Sequence, residues 1–439
     1  MMLYGSSVIQ PNGHLEIGGV DTVHLANQFG TPLYVYDVAH MRQQARAFKR
    51  AFTENNVAGQ VAYASKAFSC VAMVQLVEEE GLNLDVVSGG ELYTALSAGF
   101  PPERIHFHGN NKSTDEIDMA VKAGIGCFIA DNFQELLLLE KASQYHGQKI
   151  SVLLRTTPGV KASTHEYIAT GQEDSKFGFD LESGQVHEAL KYVLSHEAFD
   201  CLGLHCHIGS QIFDANAFEV AVDKIYRELE LRRDDLGFVP KVLNLGGGFG
   251  IRYVEGDSAQ PPEKYVGTMI EAVKRQSSRL GFAVPEIWIE PGRAIVGNAG
   301  TTLYKVGSQK EVPNVRRYLA VDGGMSDNLR PALYDAKYEG ILANRGWDRC
   351  DRTMSVAGKC CETGDMLIWD LSLPEVHTDD LLAVFSTGAY GYSMSNNYNR
   401  IPRPAVVFVE NGDARLVVRR ETYEDLVQLD LPLKESVIP

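Results

Sequence analysis

A lysine, a glycine run and a carboxylate each end an apolar segment of this sequence. Tyr63–Ala67 (YASKA) sets Lys66 among small and apolar side chains. Partial desolvation there would lower its pKa and free the amine to form a Schiff base. Asn244–Gly250 (NLGGGFG) bares consecutive backbone N–H groups that can hold a phosphate. In EPGR, Glu290 could keep a pyridine nitrogen protonated, and Arg293 could bind a substrate carboxylate through two parallel hydrogen bonds.

Each of these segments also has a purely structural interpretation. Lys66 could be an exposed lysine at a strand end, and the glycine run could be only a tight turn. Glu290 and Arg293 could form an ion pair that closes the fold. These alternatives stay open at the level of single motifs.

Two further segments carry histidine or cysteine. On a strand, His205 and His207 would point to one face and Cys206 to the other, and no further Cys or His cluster completes a tetrahedral set. We therefore expect no metal, and instead expect His207 to stack on a cofactor ring with Ser210 available to a phosphate. In CCETGD, Cys361 lies beside a carboxylate and could donate a proton, although a buried structural cysteine is the alternative.

Eight short apolar runs must position these groups. They begin at Val61, Leu82, Ile105, Cys127, Ser151, Cys201, Val242 and Glu286. Apolar residues at helical spacing occupy 71–80, 91–98, 135–145 and 264–280. Strands that alternate with helices imply parallel strands with right-handed crossovers, and eight such units favour a (β/α)₈ TIM barrel over an open sheet.

The predicted strand ends carry the polar residues. In order these are Lys66, Ser88, His108 with Asn110, Asp131, Arg155, His207, Gly248 and Glu290. The carboxyl ends of barrel strands converge on one face, where barrel enzymes perform their chemistry. Ionisable groups in such number are not expected in an apolar core, because burying an unpaired charge costs free energy. We expect the functional site at this face.

The chain after about residue 297 loses the helical pattern. YLAVDGG, TMSVAGKCC, DMLIWDL, LLAVFSTGAYG and AVVFVENGDARLVVRRE are typical of strands with turns, and the last contains a hairpin signal at 410–413. We predict a β-rich C-terminal domain, sandwich- or barrel-like, over 297–439. The barrel is predicted over 31–296, and an N-terminal segment, 1–30, is predicted to join the β domain.

Composition limits the class of protein. The chain has 439 residues and a net charge of −16, so nucleic-acid and membrane-surface binding are unfavourable. Its seven cysteines are odd in number and form no C-x-x-C, its first residues lack the features of a signal peptide, and no apolar run is long enough to span a bilayer. We expect a soluble, cytoplasmic protein.

Together the motifs resemble those of the diaminopimelate decarboxylases, pyridoxal 5'-phosphate (PLP) enzymes of the alanine-racemase-like barrel type, fold type III. The matching motifs are YASKA at Lys66, HIGSQ from His207, GGGFG from Gly246, EPGR from Glu290, VDGGMSDNLRPALY over 321–334, CETGD from Cys361 and TGAYG over 387–391. They cover nearly the whole chain in order. Two departures are small: Phe68 stands where many members have Asn, and Thr363 where Ser is usual.

The resemblance implies a role for each matching residue. Lys66 would hold PLP as a Schiff base, His207 would stack on the ring, and Glu290 would bind its nitrogen. The phosphate end would be held by Ser210, Gly248, Pro291, Gly292, Arg293 and Tyr390. The substrate would contact Arg293, Arg330, Tyr334, Glu362 and Tyr390. Cys361 would act as general acid from the other subunit of a homodimer, and the reaction would convert meso-2,6-diaminopimelate to L-lysine and CO₂, the last step of lysine biosynthesis.

The residue types agree with a substrate that has two amino-acid ends. Arg293 and Arg330 supply cations and Glu362 supplies an anion for the end that does not react. A substrate that ends in a plain amine, such as ornithine, would leave the arginines unpaired and desolvated.

Two alternatives are a PLP enzyme acting on a related amino acid, either a decarboxylase or a racemase, and a non-catalytic PLP-binding homologue. A racemase is better served by a cation at the ring nitrogen, so Glu290 argues against it. A non-catalytic homologue could lose Lys66 or Cys361, and both are present.

Overall fold

The computed structural model describes residues 3–160 and 175–433. It divides into two compact units. One consists of Met1–Ala39 with Asn298–Pro439, and the other of His40–Gly297. The sequence prediction began the barrel at residue 31.

The strands of the described residues are numbered in chain order. They are β1 (Val8–Ile9), β2 (Leu15–Ile17), β3 (Val20–Asp21), β4 (Leu33–Asp37), β5 (Gly59–Ala64), β6 (Asn83–Val86), β7 (Ile105–Phe107), β8 (Cys127–Ala130), β9 (Ile150–Thr157), β10 (Phe179–Asp180), β11 (Phe199–Cys206), β12 (Val242–Asn244), β13 (Glu286–Ile289), β14 (Gly300–Val312), β15 (Arg316–Val321), β16 (Gly340–Leu342), β17 (Arg352–Ala357), β18 (Met366–Leu373), β19 (Leu381–Phe385), β20 (Ala405–Glu410) and β21 (Asp413–Val418).

The helices are numbered in the same way. They are α1 (Thr22–Phe29), α2 (Val38–Glu54), α3 (Val71–Glu79), α4 (Gly89–Ser97), α5 (Thr114–Ala123), α6 (Phe133–His146), α7 (Gln185–Ser195), α8 (Asn216–Leu236), α9 (Pro262–Leu280), α10 (Arg293–Val296), α11 (Arg330–Tyr334) and α12 (Tyr423–Val427).

The unit His40–Gly297 is a closed parallel barrel. Its strands run in the order β5-β6-β7-β8-β9-β11-β12-β13, and β13 pairs with β5 to close the ring. All eight predicted strands and the four predicted helices are present. The prediction of a (β/α)₈ barrel is confirmed.

The barrel separates its apolar filling from its polar strand ends. Cys127, Ile129, Leu153, Val242 and Trp288 pack together inside it as one apolar cluster. The loops after β6, β7 and β8 lead into helices α4, α5 and α6, each of which begins with a side-chain cap. Ser88 is one of these caps, because its hydroxyl accepts from Glu91 N at 3.2 Å. Such caps satisfy backbone N–H groups that the first helical turn leaves unbonded.

The other unit is β-rich, as predicted. Its large sheet runs β18-β17-β15-β14-β4-β20-β21, with β19 also pairing with β14 and β16. The predicted hairpin joins β20 to β21 through Asn411 and Gly412, both at positive φ, which is the conformation that a two-residue turn of this kind requires. The long central strand β14 and the N-terminal strand β4 were not predicted.

Among the described residues, no helix is both long and apolar enough to cross a bilayer.

Candidate active site

Glu290 is the centre of a buried polar cluster at the carboxyl ends of the barrel strands. Its side chain is only 5% exposed. Asn244 Nδ2 donates to Glu290 Oε1 at 2.7 Å, and His205 Nε2 lies 3.2 Å from Oε2. His108 Nε2 lies 3.1 Å from Oε1. Strands β7, β11, β12 and β13 thus each direct one polar side chain to the same point.

These contacts keep the Glu290 carboxylate ionised. Burial by itself raises the pKa of Glu290, but His108 and His205 outweigh burial and hold that pKa well below its usual value. The pKa of His205 is itself lowered, first by burial. His205 therefore stabilises the carboxylate as a neutral hydrogen-bond donor.

A second buried carboxylate faces the same cluster. Asp85, the third residue of β6, places Oδ1 3.6 Å from His108 Nε2. Burial raises the pKa of Asp85 to about 6, with the charge of His108 opposing the rise and that of Glu290 adding to it. His106 lies two residues before His108 and stacks on Trp288, with ring centroids 4.4 Å apart and planes 7° apart. Burial lowers the pKa of His106 to about 3, so its ring is neutral.

Three loops beside this cluster meet through their backbones. A Cβ on Gly247 would lie 2.1 Å from Glu290 O, and one on Gly248 would lie 2.2 Å from Gly209 O. Gly248 also has φ +97°, which a residue with a side chain rarely adopts. Only glycine fits where these loops touch, and the run therefore does more than make a tight turn.

His207 and Ser210 lie on the loop after β11. His207 Nδ1 accepts from Gly247 N at 3.2 Å, which fixes the ring against the glycine loop. Burial, and next the charge of Lys66, hold the pKa of His207 well below its usual value, so the ring is neutral. The Gln211 side chain donates from Nε2 to Ile251 O at 2.6 Å and accepts from Ile251 N through Oε1 at 3.1 Å. These two bonds join this loop to the segment after β12.

Arg293 is buried at the start of α10. Its Nη2 donates to Ser210 Oγ at 2.8 Å, and its Nη1 donates to Tyr253 Oη. The guanidinium thus ties two loops of the barrel end together rather than pairing with Glu290. A role in binding the substrate carboxylate stays a prediction.

Lys66 lies in the 3₁₀ turn Ser65–Ala67 that follows β5. Its side chain is exposed, so the expected partial desolvation is wrong for this chain. The physical reason is that the lysine lies beyond the strand, whereas its neighbours Ser65 and Ala67 are buried. Lys66 nevertheless lies near enough to influence the pKa of both Asp85 and His207.

The β-rich unit carries the other predicted residues. Cys361 and Glu362 are exposed on the loop between β17 and β18. Cys361 N donates to Asn399 Oδ1 at 2.8 Å, and Tyr398 Oη donates to Glu362 Oε1 at 2.6 Å. The buried structural alternative is wrong for Cys361 and holds for its neighbour Cys360.

Asp365 holds this loop against the one that leads to α11. Its carboxylate accepts from Met325 N at 2.6 Å and from Cys360 N at 2.7 Å. A Cβ on Gly324 or Gly358 would come within 2.6 Å of the same oxygens. The segment that carries Arg330 and Tyr334 is therefore held in register with the loop that carries Cys361 and Glu362.

Arg330 and Tyr390 contact each other within this unit. The Arg330 guanidinium lies 6.0 Å from the centroid of the Tyr390 ring, and Arg330 Nη1 donates to Tyr338 Oη at 3.0 Å. Tyr390 has φ +60°, an uncommon backbone conformation for a tyrosine. Such a conformation persists only where the surroundings demand it.

Sequence reasoning missed four residues of the barrel cluster. His108 was predicted at a strand end without a role, His205 was considered only for a metal, and Asp85 and Asn244 received no role. The sequence signal that could have identified Asp85 is a charged residue inside an apolar run, LNLDVVS. His108, His205 and Glu290 also have the spacing of a metal-binding triad, since their ligand atoms lie within 4.8 Å of one another.

The barrel residues fit PLP. The glycine loops form a backbone cradle suited to a phosphate. The anionic Glu290 has one oxygen, Oε2, with a single donor, which leaves room for a protonated ring nitrogen. His207 is neutral and fixed, as a stacking ring requires, and Lys66 is accessible at the same end of the barrel.

Comparison with known proteins agrees with this geometry. Residues 38–297 match the family model described as pyridoxal-dependent decarboxylase, pyridoxal binding domain. The chain is 66% identical to the diaminopimelate decarboxylase of Bacillus subtilis, with 100% of both chains covered. It is 48% identical to that of Staphylococcus aureus, with 95% of this chain and 97% of the relative covered.

A solved structure extends the likeness to the fold. The diaminopimelate decarboxylase of M. jannaschii in complex with L-lysine superposes with a TM-score of 0.92 at 35% identity, over 98% of this chain and 99% of that one. The family-model match covers more than half of the chain, and full-length identity is far above what chance allows. This chain belongs to the diaminopimelate decarboxylase family of pyridoxal-dependent decarboxylases.

Proposed function

We propose that this chain uses PLP to remove CO₂ from meso-2,6-diaminopimelate and release L-lysine. The observation that carries the proposal is the buried, anionic Glu290 at the end of a barrel that also presents Lys66 and a glycine cradle. A carboxylate at this position favours a protonated ring nitrogen. The family membership supports the choice of substrate.

PLP, when bound, withdraws electrons from the substrate bond that breaks as CO₂ leaves. Glu290 holds a proton at the ring nitrogen, which makes this withdrawal strong. Lys66 would hold the cofactor through Nζ, and His207 would support the ring. The loops at Ser210 and Gly248, with the backbone of Pro291, Gly292 and Arg293, hold the phosphate, and Tyr390 is proposed to join them.

The β-rich unit supplies the groups for the substrate. Arg330 offers a cation to the distal carboxylate and Glu362 an anion to the distal ammonium, while Tyr334 and Tyr390 contact the chain between them. Arg293 is proposed to join Arg330 in binding the carboxylate of this end, which does not react. Cys361 donates a proton from Sγ to the carbon that has lost CO₂, and the L configuration of the product is that of the distal centre, which does not react.

The substrate can be tested by competition between candidates. Purified protein with PLP is incubated separately with meso-diaminopimelate, L-ornithine, L-arginine and L-lysine, and CO₂ and chiral products are measured. CO₂ from diaminopimelate with L-lysine as product supports the proposal. Faster release from ornithine or arginine, or racemisation of lysine without CO₂, would contradict it.

We further propose that the chain acts as a homodimer in which Lys66 works with Cys361 of the partner subunit. The exposure of Cys361 and Glu362 in the single chain supports a role at an interface. The seven free cysteines support work in a reducing compartment, the cytoplasm.

Complementation between two inactive variants tests the shared site. Lys66→Ala and Cys361→Ala homodimers should each be nearly inactive. Refolded together in equal amounts, about half of the dimers are hybrids with one intact site, and roughly a quarter of wild-type activity should return. If wild-type controls refold and the mixture stays inactive, Cys361 acts within its own chain or not at all.

A further inference from the structure

His108 lies between two buried carboxylates at the end of the barrel. Its Nε2 is 3.1 Å from Glu290 Oε1 and 3.6 Å from Asp85 Oδ1, and all three side chains are at most 6% exposed. Neither His108 Nε2 nor Asp85 Oδ1 has a hydrogen-bond partner within bonding geometry among the described residues. The contact is therefore one of charge.

The charge balance of the cluster needs a cation at this position. Two carboxylates buried together without one would repel each other, and burial would drive one of them to take up a proton. His205 is neutral and Asn244 is uncharged, so neither compensates. Two other cations act on these carboxylates by charge but form no ion pair with them among the described residues: Arg155, which lies 3.9 Å from Asp131 and over the Phe177 ring, and Lys66, which is exposed.

We propose that His108 is a positioning residue that, as an imidazolium between Asp85 and Glu290, keeps Glu290 anionic and so keeps the cofactor ring nitrogen protonated. The proposal rests on the proposed function. With Oε1 occupied by His108 and Asn244, Oε2 keeps one donor and remains the oxygen that faces the ring. His108 touches neither substrate nor cofactor in this role and acts through Glu290.

The matched pair of variants is His108→Gln and His106→Gln. Gln places an amide near the position of the imidazole Nε2, so H108Q keeps a donor and removes the charge. His106 lies on the same strand two residues earlier, is equally buried and is already neutral, and its contacts are Trp288 and Asn83. Damage to packing should therefore affect both variants, whereas loss of charge beside Glu290 affects only H108Q.

The experiment measures ring protonation directly, with holoenzyme reconstituted with PLP labelled with ¹⁵N in the ring. We expect the ring-nitrogen resonance of H108Q to move towards the unprotonated position, and that of H106Q to stay at the wild-type position. The kcat of H108Q should fall by about 10- to 100-fold, by analogy with the range found for partners that orient a metal-ligating side chain, with KM changed less than about threefold. If H108Q does not fold, His108→Asn gives the same loss of charge with a smaller side chain.

The outcomes separate the two proposals. A wild-type holoenzyme with an unprotonated ring nitrogen overturns the role of Glu290 and with it the mechanism proposed above. A protonated wild-type nitrogen that stays protonated in H108Q and in H108N overturns the role of His108 alone. An equal change in H108Q and H106Q also overturns it, because the effect would then come from packing.

Discussion

Replacement of Glu290 by Gln tests how the barrel end works, because it keeps the size of the side chain and removes its charge. Two donors, from Asn244 and His205, reach the two carboxylate oxygens here, and His108 faces Oε1 as a charge. A Gln side chain has only one acceptor oxygen, so its NH₂ group must face at least one donor. The variant therefore loses the anion and also gains a donor–donor contact.

The expected loss follows from this geometry. Removing one preorganised electrostatic partner of a developing charge costs about 10²–10³ in turnover, or about 2.7–4 kcal/mol. The unsatisfied donor adds about 1–3 kcal/mol of destabilisation. We expect kcat for diaminopimelate to fall by the first amount, while PLP stays bound.

The assay combines CO₂ release with the absorbance of bound PLP. Glu286→Gln is the matched control, since Glu286 begins the same strand, β13, at its opposite end and accepts from Gln60 Nε2 at 3.1 Å. It should retain wild-type turnover. A wild-type rate for E290Q with full PLP occupancy would refute the reasoning about the ring nitrogen.

Three further predictions concern the two units separately. Lys66→Ala should lose the borohydride-trapped PLP adduct and nearly all turnover. The control variant Lys241→Ala, before β12 at the other end of the barrel, should keep both. A trapped adduct in K66A would place the covalent site elsewhere. Arg330→Ala should raise KM for diaminopimelate by about tenfold or more with PLP affinity little changed, because the lost contact is to the distal end of the substrate; an unchanged KM would contradict this. Burial raises the pKa of Asp327 to about 7, although hydrogen bonds from Tyr304 and Gly324 oppose the rise. Ionisation of this acid in the folded state is therefore unfavourable, and the free energy of unfolding falls as pH rises from about 4 to 7, by at most about 4 kcal/mol. Denaturant unfolding should therefore show Asp327→Asn gaining stability relative to wild type between pH 5 and 8, and a difference independent of pH would show that Asp327 stays ionised.

The barrel could be predicted because each strand is a short apolar run with its own turn and helix. Strand β14 was missed because its second half, including Ser308–Val312, is polar and largely exposed, which removes the apolar pattern that marks a strand. Strand β4 pairs with β14 and β20, strands that lie more than 250 residues later, and no local pattern indicates such a partner.

The site could be predicted where a motif carries its own chemistry, as at Lys66 and Glu290. Asp85 and His108 could not, because their roles depend on which strand ends meet inside a closed barrel. The exposure of Lys66 was missed for a similar reason, since it depends on one 3₁₀ turn after β5.

The contact between the glycine loop and the backbone of Glu290 fixes the distance between two parts of the proposed cofactor site. Glu290 N donates to Gly246 O at 2.8 Å, and the Gly247 backbone lies so close to the Glu290 carbonyl that no side chain could separate them. In the proposed binding mode, one rigid piece of main chain sets both the phosphate position and the nitrogen position. The distance between these two positions therefore selects for the length of the cofactor. A vitamer without its phosphate, or with a longer arm, could make the contacts at one position but not at both.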